Sequence, residues 1–223
     1  MAAAEGPLLL VGGAEWRRGC DFDAQALEAA GRPEVLILPT AAAYEHPERA
    51  VATAVAWFES MGGRARGLDV LARPDAEDLD KAATVRQARF IYLGGGSPLH
   101  LRSVLKDSAV WNALVEAWHD GATVAGSSAG AMVLTDPMVD PRGGAFTLGL
   151  GLCEQVAVVP HFDHWSHDKA RRTLDLAPAG LPVVGIAERT AVVRDPSGSW
   201  TASGAGVVSV FVDGVAAGLE VLP

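Results

Sequence analysis

Residues 124–134 read Val-Ala-Gly-Ser-Ser-Ala-Gly-Ala-Met-Val-Leu (VAGSSAGAMVL) and place two serines among small residues between two apolar runs. Gly126-Ser127-Ser128-Ala129-Gly130 fits G-x-S-x-G with Ser128 at the centre, after a strand-like run and before a helical one. A sharp strand-to-helix turn that presents a serine needs close backbone approach, which Gly126, Ala129 and Gly130 allow. The helix start also offers free backbone N–H groups to a negatively charged oxygen. Taken alone, the motif fits a plain strand–helix junction equally well.

The surrounding chain alternates strand and helix. GPLLLVGG (Gly6 to Gly13), EVLILPTA (Glu34 to Ala41), ARGLDVL, ARFIYLGGG and ATVAGSS are apolar runs closed by Gly or Pro or ending in the serine turn, which reads as five buried parallel strands. Between them, helical patterns span Asp23 to Ala30, His46 to Met61 with Val51, Val55 and Phe58 on one face, and Asp75 to Ala88. Pro98 to Leu105 and Ser108 to Trp118 continue the series, the latter with Ser108 as its cap. This order predicts right-handed crossovers and an α/β fold with a mostly parallel sheet and helices on both faces. After Val183 the segments VVGIAERTAVVR, GSWTASG and GVVSVFVDG read as short strands joined by turns, predicting a C-terminal antiparallel extension. With 223 residues, no repeat and no linker rich in Gly, Ser or Pro, residues 1–223 are expected to form one domain.

A formal charge of -9 offers no basic field, so neither nucleic acid nor an anionic membrane is an expected partner. The stretch MAAAEGPLLLVGGAEW has no basic leader and an apolar run too short for a bilayer, so a cytoplasmic location is expected. Cys20 and Cys153 sit in no metal-type spacing and are expected to be reduced thiols.

A nucleophilic serine needs a base, and His161, His164 and His167 follow it in HFDHWSH, just after the apolar run QVAVV at an expected strand end. Metal ligation by these histidines with Asp163 and Asp168 is the weaker reading, because the segment begins in a loop rather than on an aligned helix face. Glu188 in VVGIAERT, past another apolar run, is the first choice for a carboxylate that orients the base, with Asp136 and Asp140 as alternatives. No histidine follows His167, which disfavours the α/β-hydrolase order unless the acid is Asp136 or Asp140. Gly94-Gly95-Gly96-Ser97 is neither a phosphate loop nor a dinucleotide fingerprint; it either brings a backbone N–H beside Ser128 as an oxyanion donor or is a plain turn. Trp165 is the aromatic expected to line a substrate pocket, while Arg171 and Arg172 fit a substrate carboxylate and a solvated helix face equally.

Together IYLGGGSPLHL, AGSSAGAMVLTDPM, VVPHF and GIAERTAVV, from about Ile91 to Val193, resemble the serine peptidase family of cyanophycinase and aspartyl dipeptidase (peptidase E). The resemblance implies a flavodoxin-type fold like that of class I glutamine amidotransferases, with serine in place of their cysteine. It implies Ser128 as nucleophile, His161 as general base, Glu188 as acid and the backbone of Gly95 and Ala129 as oxyanion donors. Asp136 and Asp140 stay open, since an acidic residue soon after the serine has been assigned in some members. The chain departs from the cyanophycinase-like pattern at Ser97, at Val159-Pro160, and after the histidine, where His164 and His167 precede the arginines Arg171 and Arg172. Cyanophycin is therefore not the expected substrate. Pro160-His161-Phe162 is closer to the dipeptidase branch, whose substrate arginine would fall near His167, with Lys169 and Arg171 close by.

The expected activity is hydrolysis of a small peptide, isopeptide or other amide bond, with no cofactor and no metal, by a monomer or homodimer. Ser97, Trp165, His167, Arg171 and Arg172 are the expected substrate contacts. Amide transfer and a non-catalytic binding or regulatory role are the alternatives.

Overall fold

Side chains leave a strand alternately to its two faces, so a strand that is apolar throughout needs a core on both sides. In the computed structural model, which describes residues 5–32, 34–142 and 145–223, the first strands meet that requirement. The order is β1 (Leu8–Val11), α1 (Phe22–Ala29), β2 (Glu34–Leu38), α2 (Pro47–Ser60), β3 (Arg64–Gly67), α3 (Arg73–Ala76) and α4 (Leu79–Gln87). It continues through β4 (Phe90–Leu93), α5 (Pro98–Leu105), α6 (Ala109–His119), β5 (Thr123–Ser127) and α7 (Ala129–Leu134). The final part holds β6 (Ala157–Pro160), α8 (His167–Asp175), β7 (Val183–Ile186), β8 (Thr190–Arg194), β9 (Trp200–Gly204), β10 (Val208–Val212) and β11 (Val215–Ala217).

The main sheet has the order β9-β8-β1-β5-β4-β2-β3. Strands β1 to β5 are mutually parallel, as the sequence predicts, and β8 and β9 add antiparallel to the β1 edge. The expected burial fails at β3, which forms the other edge and leaves Arg64 and Arg66 exposed, because an edge strand has no neighbour on one side. Leu8 and Leu10 of β1, Leu36 and Leu38 of β2, and Ile91 and Leu93 of β4 enter one core with α4 to α7. Their neighbours Leu9, Val11, Val35, Ile37, Phe90 and Tyr92 enter a second core with Phe22 of α1 and Phe58 of α2. Each fully buried large side chain of these cores stabilises the fold by roughly 1.5–3 kcal/mol.

A second sheet, β6-β7-β10-β11, flanks the first core. The expected antiparallel extension is present in β8–β9 and β10–β11, but β7 pairs parallel with β6. The run VVGIAERTAVVR is therefore two strands in two sheets, separated at Ala187 to Arg189, with Arg189 in the left-handed region at φ 56°. Glu188 stands at that switch. The helix expected over Asp75 to Ala88 is also two, because the Asp78 carboxylate accepts from Asp80 N and Lys81 N and caps α4.

Among the described residues no helix is long and apolar enough to cross a membrane. Cys20 and Cys153 are free and buried, and burial pushes both thiols up to about 11.

Behind the sheet, Asp23 is fully buried, and one carboxylate oxygen accepts from Trp57 Nε1 at 2.9 Å. Burial pushes its pKa up to about 8. An unfolded Asp ionises near pH 4, so between about pH 4 and 8 the folded chain holds a proton that the unfolded chain has released. Stability from this residue is full below that range and declines as pH rises through it. Asp23→Asn keeps the acceptor for Trp57 and cannot ionise. In urea unfolding the variant is expected to gain on wild type by about 1 kcal/mol or more between pH 5 and pH 8. An unchanged difference across that interval would contradict the assignment.

Candidate active site

The chain turns from β5 into α7 at Ser128, with φ 50° and ψ -108°. Positive φ at a residue other than glycine costs roughly 1–3 kcal/mol, and the surroundings hold this one in place. Ser128 N donates to Val11 O at 2.9 Å, and Ser128 O accepts from Met132 N at 3.0 Å. The flanking glycines are required by packing: a Cβ on Gly130 would lie 2.3 Å from Leu93 O, and one on Gly126 would lie 2.6 Å from the Gly130 carbonyl carbon.

His161 follows the end of β6 and is also left-handed, at φ 51°. Its Nε2 is 2.9 Å from Ser128 Oγ and its Nδ1 is 2.8 Å from Glu188 Oε1. The hydrogen bond from His161 is the main reason that the Glu188 carboxyl lies below its ordinary range. An ionised carboxylate can only accept, so the proton of a neutral imidazole belongs on Nδ1, leaving Nε2 to accept from the Ser128 hydroxyl. Glu188 is anchored in turn: its N–H donates to Asp163 Oδ1 at 3.0 Å, and its second oxygen lies 3.6 Å from His164 Nε2.

The loop that leaves β1 touches every part of this line. Gly12 O accepts from His161 N at 2.7 Å, and Gly13 O accepts from Arg189 N at 2.8 Å. Gly13, at φ 112°, lies flat against the imidazole: a Cβ there would sit 2.2 Å from His161 Cε1. Glu15 reaches to the other side, where Oε2 accepts from Ser127 Oγ at 2.8 Å and Oε1 from Gly95 N at 3.1 Å. Sequence reading missed both residues; their signal was VGGAE directly after an apolar strand.

Ser128, Ala129 and His161 open on a cavity of about 560 Å³ whose walls include Gly96, Met132, Val139 and Trp165. Its basic side chains are Arg142, Lys169 and Arg172, set against the single carboxylate of Asp140. Lys169 Nζ lies 3.7 Å above the Trp165 ring, and the buried Thr173 hydroxyl on the same wall has no hydrogen-bond partner among the described residues.

Several expected contacts fall elsewhere. Ser97 is used as a helix cap, accepting from His100 N at 3.3 Å, and is not in the cavity wall. His167 and Arg171 are exposed outside the wall, because at about 100° per residue Lys169, Arg172 and Thr173 share one face of α8 and Arg171 lies on the other. Asp136 Oδ1 accepts from Gly149 N at 2.7 Å, and Asp140 is paired with Arg142, which pulls it down to about 2. Of the three candidate acids, Glu188 is the one bonded to His161. The Gly95 N–H is committed to Glu15, whereas Gly96 lies in the cavity wall with no acceptor for its N–H among the described residues.

Residues 8–198 match the model of peptidase family S51. A cyanophycinase from Trichormus variabilis is 29% identical over 224 residues, covering 93% of this chain and 74% of that protein. The solved structure of a peptidase from an acI-B1 Actinobacterium superposes with a TM-score of 0.84 at 29% identity, covering 96% of this chain and 93% of the other. A putative peptidase E protein from Listeria monocytogenes shares the fold, with a TM-score of 0.66 at 18% identity and coverage of 94% and 99%. The parallel sheet with its flanking helices is accordingly the flavodoxin-like fold.

Because Gly13 leaves no room beside the imidazole, Gly13→Ala is expected to displace His161. Peptide hydrolysis should fall by roughly 100-fold or more while the thermal midpoint moves by only a few degrees. Wild-type turnover by a folded Gly13→Ala protein would show that this contact does not hold the ring.

Proposed function

The chain belongs to peptidase family S51, and from that membership we propose that it hydrolyses the peptide or isopeptide bond of a small, carboxylate-bearing substrate through an acyl-enzyme on Ser128. The observation that carries the reading is the hydrogen-bonded line Glu188–His161–Ser128 opening on a cavity with three basic side chains and one acidic.

In this reading Ser128 Oγ attacks the scissile carbonyl carbon while its proton passes to His161 Nε2. Glu188 stabilises the imidazolium and keeps the ring in register, without taking the proton. The N–H groups of Ala129 and Gly96 receive the oxyanion, a role that passes from Gly95 to its neighbour because Glu15 occupies the Gly95 N–H. As the tetrahedral intermediate collapses, the C–N bond breaks and His161 returns its proton to the leaving amine. Water, deprotonated by the same nitrogen, then attacks the ester; the acyl–oxygen bond breaks and the hydroxyl of Ser128 is restored.

Substrate chemistry follows from the cavity wall. Arg172 and Lys169 give the wall a basic surface that suits a carboxylate. This supports a dipeptide-sized acidic substrate. The enclosed volume agrees, being within the range that holds a small molecule.

A pooled dipeptide library that includes β-aspartyl isodipeptides, followed by mass spectrometry, tests both parts. Wild type is expected to deplete acidic members, and Ser128→Ala to be slower by roughly 10³-fold or more while remaining folded. Arg172→Ala is expected to raise KM for those members by about tenfold with kcat little changed. Undiminished turnover by Ser128→Ala would refute the acyl-enzyme, and depletion of basic or neutral members alone would refute the carboxylate site.

A further inference from the structure

We infer that Glu15 is a positioning residue for this site, whose carboxylate clamps the serine turn and the glycine loop at a fixed separation. The inference rests on the reading of Ser128 as nucleophile. Two contacts carry it. Glu15 Oε2 accepts from the hydroxyl of Ser127, the fully buried residue immediately before Ser128, and Oε1 accepts from the Gly95 N–H, immediately before Gly96. One side chain thus joins the ends of β5 and β4, the two strands whose following residues Ser128 and Gly96 both line the cavity.

The local backbone is built to aim it. Ala14 and Trp16, on either side of Glu15, are both in the left-handed region, at φ 51° and φ 58°. The Trp16 ring is buried against Tyr92, with centroids 5.2 Å apart, and closes over Gly94. Gly95 packs closely between Glu15 and Ser128, since a Cβ there would meet Glu15 Oε1 at 3.3 Å and Ser128 Cβ at 3.4 Å.

A negative charge beside a forming oxyanion opposes it, so the benefit of a carboxylate here is geometric and not electrostatic. That separates the variants. Glu15→Gln keeps both contacts, since its amide oxygen accepts from Gly95 and its amide nitrogen donates to Ser127 Oγ, whose hydroxyl turns away. Glu15→Ala loses both contacts, and Ser127→Ala loses one. An error of about 1 Å in such an arrangement costs on the order of 100-fold in rate.

The test is the rate at which a fluorophosphonate probe phosphonylates Ser128, read by intact mass and peptide mapping beside the thermal midpoint of each protein. The reaction forms the Oγ–P bond and expels fluoride, and it needs the nucleophile and the oxyanion donors in register. Glu15→Ala and Ser127→Ala are expected to label more slowly by roughly 10- to 100-fold at a near-native midpoint, and Glu15→Gln to stay within about threefold of wild type. Wild-type labelling by folded Glu15→Ala would overturn the role of Glu15 and leave Ser128 as nucleophile. Should Glu15→Ala not fold, Ser127→Ala decides: slowed labelling supports the clamp, and wild-type labelling overturns it. Equal loss in Glu15→Gln and Glu15→Ala would overturn the geometric account, and failure of wild type to label at Ser128 would overturn the nucleophile and the clamp together.

Discussion

Three consecutive carbonyls at the end of β1 hold the site together. Val11 O takes the N–H of Ser128, Gly12 O that of His161, and Gly13 O that of Arg189, the residue after Glu188. The three side chains of the hydrogen-bonded line come from far-separated parts of the chain and from two sheets, and one short loop sets the height of each. A loop can do this only if its backbone passes close to all of them, which is why glycine stands at positions 12 and 13: a Cβ at either would fall within about 2.2 Å of a neighbouring atom.

The consequence is a site assembled from strained turns on a rigid base. Ser128, His161 and Arg189 all lie at positive φ, each near 50°. Such conformations persist only where the surroundings over-determine them. Here the base is two sheets: Ser128 follows the buried strand β5 of the main sheet, while His161 and Arg189 follow β6 and β7, the buried parallel pair of the second. Strand ends, not helix faces, present the chemistry, and the fold's own packing stabilises the turns.

What was legible in the sequence has a local cause. Four of the five parallel strands could be read from apolar runs closed by Gly, Pro or the serine turn, whereas β3 is Arg-Ala-Arg-Gly and half exposed; the serine turn was legible because G-x-S-x-G has a steric reason. His161 and Glu188 followed from their places at strand ends and from the family resemblance. The roles of Gly13 and Glu15 were not legible, because their partners lie roughly 80 to 180 residues away in sequence and no periodicity links them. Helix phase misled in α8, where Arg171 and Arg172 are adjacent in sequence yet only Arg172 reaches the cavity. The parallel pairing of β6 and β7 was hidden for a related reason: a strand's own residues do not say which sheet it joins.

The central claim is that Glu188 sets the His161 ring so that Nε2 is free to take a proton from Ser128 before any substrate arrives. Nitrogen-resolved NMR of the histidine side chains reads this directly, at a pH where the ring is neutral. The account predicts that His161 carries its proton on Nδ1, in a strong hydrogen bond that Glu188→Gln weakens and Ser128→Ala leaves in place. A proton on Nε2 in the wild-type protein would contradict it, since the nitrogen facing Ser128 would then have no lone pair to act as base.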